Sequence, residues 1–502
     1  MKTKYLIVIL IFFGQMPNHL IAQNQVYPYQ ATNKKLLTLH GYKYWDWSAN
    51  LKDNLETMQA KRPYIDGIIF HNGYNYGQPL FAFNNEIWTE KSLRFDDLSI
   101  ISKKWTKFTD NFIWIWGHAQ NTNPDFFNDT LWTKIIKNTE LLGKALKTGG
   151  CKGIMFDAEF YSEGSTYSPW WYTIPFNNPK HVGTPPYSEK TFDEVSAKAK
   201  QRGREYVQAL QVHMPKITIL TTFLYSYVWA YCYDDIKKLP ISQYGLFGAF
   251  ANGMLEGLNS GSILIDGNET SYYIDETRKY FEYSDQNDYE FNRIEAPAIF
   301  CDSLLLKKWN TQGQVAMAPY LEKCYNRYGS EKWNTPDYQS KWMTHNVYNS
   351  LLASDQYVWI YIERMDFWKA ENTPPQVDVY KDIKDAVDKF RNGEPLGYEM
   401  YKPDSIFKWQ NEKQAKFITS PKIELTISPN KLPGNITITA IIKENVSISK
   451  VEFYANSLKI GEAVKAPHSI QKQFLKSDYL LFVRVFKTDG THFTSAPIVL
   501  KK

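Results

Sequence analysis

The 502-residue chain is short of several things, and each shortage closes a route. It holds 4 cysteines, too few for a disulfide scaffold, and none sits in the CxxC or His–Cys spacing of a zinc site. One bridge, such as Cys301 to Cys324, is permitted in an oxidising compartment, but spacing alone does not dictate it. Beyond the N-terminus no apolar stretch reaches the roughly 18–20 residues of a spanning helix, so no membrane span is expected. Lysine and arginine form no block and the net charge is only +5, which argues against nucleic acid as a partner. There is no His-x-His or HExxH pattern and no glycine-rich phosphate loop after the first strand. Neither a metal nor another cofactor is expected.

The N-terminus reads as a secretory signal over residues 1–22. Lys2 and Lys4 precede an apolar run over 5–14, and the small Ala22 suits cleavage. No cysteine follows the run, which disfavours a lipid anchor. A secreted or periplasmic monomer is expected.

Aromatic residues are plentiful: 16% of the chain, with 35 Tyr and 16 Trp. Flat apolar faces with polar tips suit stacking against sugar rings, although ordinary packing in a tyrosine-rich composition is the competing explanation.

Continuous apolar runs bounded by turns predict strands buried on both faces at 36–39, 65–70, 112–116, 153–156, 217–222, 262–265, 315–318 and 357–361. Helical stripes fall between them. Phe192, Val195, Ala199, Tyr206 and Leu210 form one; Leu246, Phe250, Met254 and Leu255 a second; Trp342, Val347, Leu351 and Leu352 a third. Eight such units predict a (β/α)8 barrel over 23–402, with an open doubly wound sheet as the alternative. After a polar linker at 403–421, residues 422–502 alternate with period two between Pro and Gly turns. That texture predicts a small immunoglobulin-like β-sandwich. The run 448–456, with Lys459-Ile-Gly461 and Ala466-Pro467, resembles the bacterial Ig-like modules appended to secreted carbohydrate-active enzymes. The resemblance implies a spacer or accessory module without chemistry of its own.

In such a barrel, reactive groups sit where strands end. Strand four ends in Asp157 and Glu159, two residues apart and so on one side of an extended backbone. Two such carboxyls repel, and one pKa rises towards that of a general acid. Glycosidic cleavage needs this division: one carboxyl protonates the leaving oxygen, and another attacks carbon or activates water. Asp266 and Glu269 after strand six are the expected partners, although Asp266 before Gly267 also fits a turn aspartate bonding its own backbone. Expected sugar contacts are Trp45, His71, Asn72, His118, Tyr161, Trp170, Trp171, Tyr225 and Glu363, with Trp47 and Trp368 as further platforms. Trp114 and Trp116, inside strand three, read as core. Glu363 beside Arg364 reads equally as an ion pair closing the barrel.

The stretch 152–159 resembles the strand-four signature of the chitinase family, D-G-x-D-x-D-x-E. Gly153, Asp157 and Glu159 match it, and Lys152 and Met155 stand where that family carries aspartates. The resemblance implies Glu159 as general acid and Asp157 as the neighbour that positions substrate. A looser likeness, to barrel glycosidases acting on α-linkages, implies Asp157 as nucleophile and Glu269 or Asp266 as acid. The expected function is a secreted glycoside hydrolase of the retaining type acting on a polysaccharide. Alternatives are a non-catalytic carbohydrate-binding protein, and a metal-assisted hydrolase built from His40, His71, His118 and Asp157.

Overall fold

A strand that is apolar on both faces needs cover on both, and parallel strands joined by helices supply it when the sheet curls on itself. The computed structural model shows eight parallel strands: β1 (Lys35–His40), β2 (Gly67–Phe70), β3 (Phe112–Trp116), β4 (Gly153–Asp157), β5 (Thr218–Thr221), β6 (Ile263–Asp266), β7 (Gly313–Val315) and β8 (Tyr357–Ile362). It describes residues 34–400 apart from 42–46, 74–79, 121–123, 161–165, 173–186, 188, 233–234, 275, 281–290, 323–335, 364, 369–377, 393, 395 and 399. It also describes residues 423–500 apart from 430–434, 444, 456–457, 475–478, 489–491 and 496–497. The expected signal segment and linker, with Trp45, Tyr161, Cys324 and Arg364, lie outside the described residues.

Strands pair in chain order, and β1 returns to β8 in parallel from Lys35↔Tyr357 to His40↔Ile362. The ring closes just beyond β7, where Met317 bridges Val358 and Tyr320 bridges Tyr361. This closure removes the open-sheet alternative. The seventh strand starts at Gly313, earlier than apolarity indicated, and passes into these single bridges instead of running on to Ala318.

Helices α1 (Ser48–Lys61), α2 (Phe95–Ile101), α3 (Asp129–Gly149), α4 (Phe192–Gln211), α5 (Phe247–Gly257), α6 (Leu306–Gln312), α7 (Pro336–Ala353) and α8 (Val379–Arg391) surround the ring. The starting point of α4 is set by a capping box, Thr191 with Glu194. Helix α3 stops at Gly150, whose φ of 66° satisfies the last carbonyls. Glycine is also required at Gly153, where an added Cβ would lie 1.7 Å from the Thr218 carbonyl oxygen. Alternation along each strand splits the core in two. Leu36, Ile68, Ile113, Ile154, Phe156 and Ile219 pack under the helices. Leu37, Leu39, Ile69, Phe112, Trp114, Met155, Leu220, Ile265 and Trp359 fill the lumen.

The C-terminal strands are β9 (Ile423–Pro429), β10 (Asn435–Ile442), β11 (Ile448–Ala455), β12 (Leu458–Ala463), β13 (Ser469–Gln473), β14 (Tyr479–Lys487), β15 (His492–Thr494) and β16 (Ile498–Leu500). They form two antiparallel sheets, β9-β10-β13 and β12-β11-β14-β15, with β16 also on β14. Val451, Phe453, Val483 and Val485 face the core between them. The opposite side of the β11–β14 ladder carries Glu452, in register with Arg484, and Tyr454. All three are buried although they point away from the module's own core. Tyr348 on α7 feels both the Arg484 guanidinium and the Glu452 carboxylate, and Lys34, just before β1, feels Arg484. These barrel residues lie at the end opposite the strand C-termini, so the module meets the floor.

Within the patch, Arg484 lies 4.9 Å from the Tyr454 ring centroid. Burial alone would raise the Glu452 pKa, but bonds from Lys450, Lys459 and Tyr454 hold it at about 2. Arg484→Ala should therefore cost on the order of 1–2 kcal/mol, the worth of a cation held over an aromatic ring out of water. It is expected to appear as a lower melting temperature in calorimetry of the whole chain. Lys472→Ala, on the exposed side of β13, should leave the melting temperature unchanged.

Candidate active site

Strand phase decides which end residues reach the lumen. On β4, Ile154 and Phe156 face the helices and Met155 faces inward, so Asp157 points inward as well. On β6, Leu264 faces outward and Ile265 inward, which turns Asp266 away from the lumen. Asp266 is fully buried, and its carboxylate accepts bonds from the backbone N–H groups of Asn268 (2.9 Å) and Leu224. Burial pushes its pKa up to about 7. It serves the turn after β6, the role that its place before a glycine also allowed. That turn does the work once expected of Asp266: Asn268 adopts the left-handed conformation at φ 47°, tolerable for asparagine, and swings Glu269 back to the mouth.

Asp157, Glu159 and Glu269 form one cluster there. Asp157 is buried; one oxygen accepts from the Trp114 indole N–H at 3.2 Å. Its other oxygen accepts from the Glu159 N–H at 3.0 Å and the Thr222 hydroxyl at 3.4 Å. Glu159 and Glu269 are half-buried, and their carboxyl groups are hydrogen-bonded to each other. Thr222 pins both sides, because its carbonyl also accepts from the Glu269 N–H at 2.9 Å.

Burial, and then the charge of Glu159, raises the Asp157 pKa well above the carboxylate range. The Glu269 pKa rises in the same direction, through burial and then Glu159 and Asp157. A hydroxyl bond from Tyr272 opposes that rise without cancelling it. Two carboxyls bonded to each other hold a proton between them, so the cluster keeps one carboxylic acid where isolated side chains would be ionised.

Aromatic rings border the cluster. Tyr272, Tyr320 and Tyr361 form one wall, with Tyr272 stacked on Tyr361 at 5.3 Å. Phe223, Tyr227, Tyr231 and Tyr244 form another, close enough for Glu269 to act on the Tyr227 and Tyr244 phenols. Trp116, half-buried at the end of β3, lies 5.9 Å from Trp114.

The remaining expected contacts divide. Glu363 reaches the rim, where the Tyr320 hydroxyl donates to it. Trp171 packs edge-on against Phe160, next to Glu159. His71 is sandwiched between Trp47 at 4.5 Å and Trp114 at 4.4 Å, and burial lowers its pKa to about 3. His118 packs against Phe81 and Trp116, and burial lowers its pKa to about 4. Three expected contacts are corrected. Asn72 is buried and donates to the Leu93 carbonyl at 2.7 Å. Trp170 is 0% exposed and donates to the Ala158 carbonyl. Tyr225 is equally buried and donates to Asn252. The two further platforms, Trp47 and Trp368, are buried as well. Among the described residues, no three His, Cys, Asp or Glu side chains are arranged to hold a metal ion. Cys151 and Cys301 are buried thiols outside any disulfide, and the buried Cys232 thiol donates to the Trp229 carbonyl at 3.2 Å. Trp114, Thr222 and Tyr272 join the site without having been expected there, and Tyr320, which follows the seventh strand, joins them. Their signal is phase: Trp114 and Trp116 share the inward side of β3 with Phe112.

Residues 417–493 match the family model of the bacterial Ig domain. The C-terminal module is Ig-like. No curated relative matches this chain. Among solved structures, fibronectin(III)-like modules of Clostridium thermocellum are 26% identical over 16% of this chain and 93% of theirs, with a TM-score of 0.14. A β-glucuronidase of Bacteroides uniformis is 10% identical over 94% of this chain, with a TM-score of 0.33, and the match spans 45% of its own length. A β-mannanase of the blue mussel Mytilus edulis is 10% identical, covering 72% of this chain and 97% of its own, with a TM-score of 0.33.

Because Glu269 holds its proton more tightly folded than unfolded, its contribution to stability is full at low pH and is lost as pH rises. Glu269→Gln keeps a neutral group that can accept from Tyr272 and donate to Glu159. Its melting temperature should equal that of the wild type near pH 4 and exceed it by about pH 8. A variant that falls further below the wild type as pH rises would contradict the crowding of like charges.

Proposed function

We propose that the chain is an exported glycoside hydrolase that cleaves a polysaccharide at the mouth of its barrel. The observation that carries this reading is the hydrogen-bonded pair Glu159–Glu269 beside buried Asp157, walled by aromatic rings. Such a pair contains both a proton donor and an ionised carboxylate, the two agents that glycosidic cleavage requires. The protonated member gives its proton to the leaving oxygen, and the ionised member attacks the anomeric carbon. Asp157, held by Trp114 and Thr222, positions Glu159 by accepting from its N–H.

Inverting enzymes hold their carboxyls about 6.5–9.5 Å apart to admit a water, whereas retaining pairs stand about 5–5.5 Å apart. Direct contact between Glu159 and Glu269 favours the retaining course, with the pair parting as the sugar enters. A purely sugar-binding mouth would gain nothing from crowding three carboxyls. Export is supported by the charged, apolar and small-residue order of 1–22.

The test is a panel of polysaccharides scored by release of reducing ends. Glu159→Gln and Glu269→Gln should each lose about 10²–10⁴-fold in kcat while remaining folded. Activity should persist in EDTA. Wild-type rates in Glu159→Gln would overturn its role, and sensitivity to EDTA would favour the metal-assisted alternative.

A further inference from the structure

A second carboxylate stands in the mouth, apart from the proton-sharing pair. Glu363 follows β8 on the inward phase of Tyr357, Trp359 and Tyr361, and is half-buried at the rim. Its surroundings hold it firmly. The Tyr320 hydroxyl donates a short bond to its carboxylate. Its own N–H and that of Met365 donate to the two carboxylate oxygens of Glu322, at 3.0 and 2.8 Å. Tyr320 is itself fixed by its bridge to Tyr361 and by the Tyr272 ring 5.3 Å away.

The arrangement repeats the motif at Glu269. There Tyr272 donates to the carboxylate; here Tyr320 does. Three packed tyrosines therefore join two carboxylates, each with a phenol attached. A rigid, charged acceptor beside flat ring faces suits a pyranose: hydroxyls donate to the carboxylate while the C–H face lies on the rings.

We propose that Tyr320 and Glu363 form a substrate-holding station that takes hydroxyl groups of the sugar next to the one cleaved. Glu363 is then a specificity residue and not part of the bond-breaking machinery. The assignment rests on the glycosidase reading above.

Steady-state kinetics on the best neutral glycan of the panel tests it, together with calorimetric binding of its oligosaccharide to the inactive Glu159→Gln protein. Glu363→Ala should raise KM about 10–100-fold, the worth of a charged hydrogen bond, with kcat nearly unchanged. Glu363→Gln, which still offers an acceptor, should recover part of that loss. In the Glu159→Gln background, Glu363→Ala should weaken oligosaccharide binding by the same factor. A collapse of kcat at constant KM would place Glu363 in the chemistry and overturn the station. Equal oligosaccharide binding with and without Glu363→Ala would also overturn it, leaving the glycosidase reading intact. A wild type that neither cleaves nor binds any glycan would overturn both.

Discussion

The mouth of this barrel is organised around a repulsion. Asp157, Glu159 and Glu269 are brought close enough for each to resist the ionisation of the others, and burial of Asp157 sharpens the effect. Nothing in folding favours such crowding, since a well-packed apolar end would be more stable. The neighbours limit its cost. The Trp114 indole and the Thr222 hydroxyl donate to Asp157, and Tyr272 donates to Glu269. These bonds reduce the upward pKa shifts but do not reverse them, so a proton stays in the cluster.

Holding such a cluster requires a frame that cannot relax, and the closed ring provides one. Thr222 follows β5, between β4 and β6, so its hydroxyl and carbonyl reach the acids of both neighbours. The tyrosine wall is fixed where the ring closes, at the Tyr320–Tyr361 bridge. The Ig-like module meets the opposite end, where Arg484 and Glu452 act on Tyr348.

Much of this was legible in the residues, for physical reasons that also mark where legibility stopped. Strands buried on both faces announce themselves as apolar runs, so the barrel could be counted, and the strand-four acids located, from periodicity alone. What a single strand cannot reveal is which of its faces looks into the lumen, because that depends on its neighbours. Hence Asp266 and Glu269 looked equivalent, although only Glu269 reaches the cluster. Trp114 and Trp116 looked like core because they lie within a strand, yet the inward side of a strand near its C-terminus is the site. Trp170 and Tyr225 erred in the opposite way. They follow strand ends in sequence, but the chain folds them back into the layer beneath the helices, where Phe247 and Trp309 cover them.

The histidines complete the electrostatic argument. His71 and His118 flank Trp114 and Trp116, the indoles beside the acids. Burial keeps both neutral down to about pH 3 and about pH 4, respectively. They shape the aromatic lining and orient the indoles without adding charge. The carboxyl cluster therefore gains no positive charge from them, and retaining a proton is the relief open to it. The cluster keeps its proton because of the histidines' neutrality as much as because of its own glutamates.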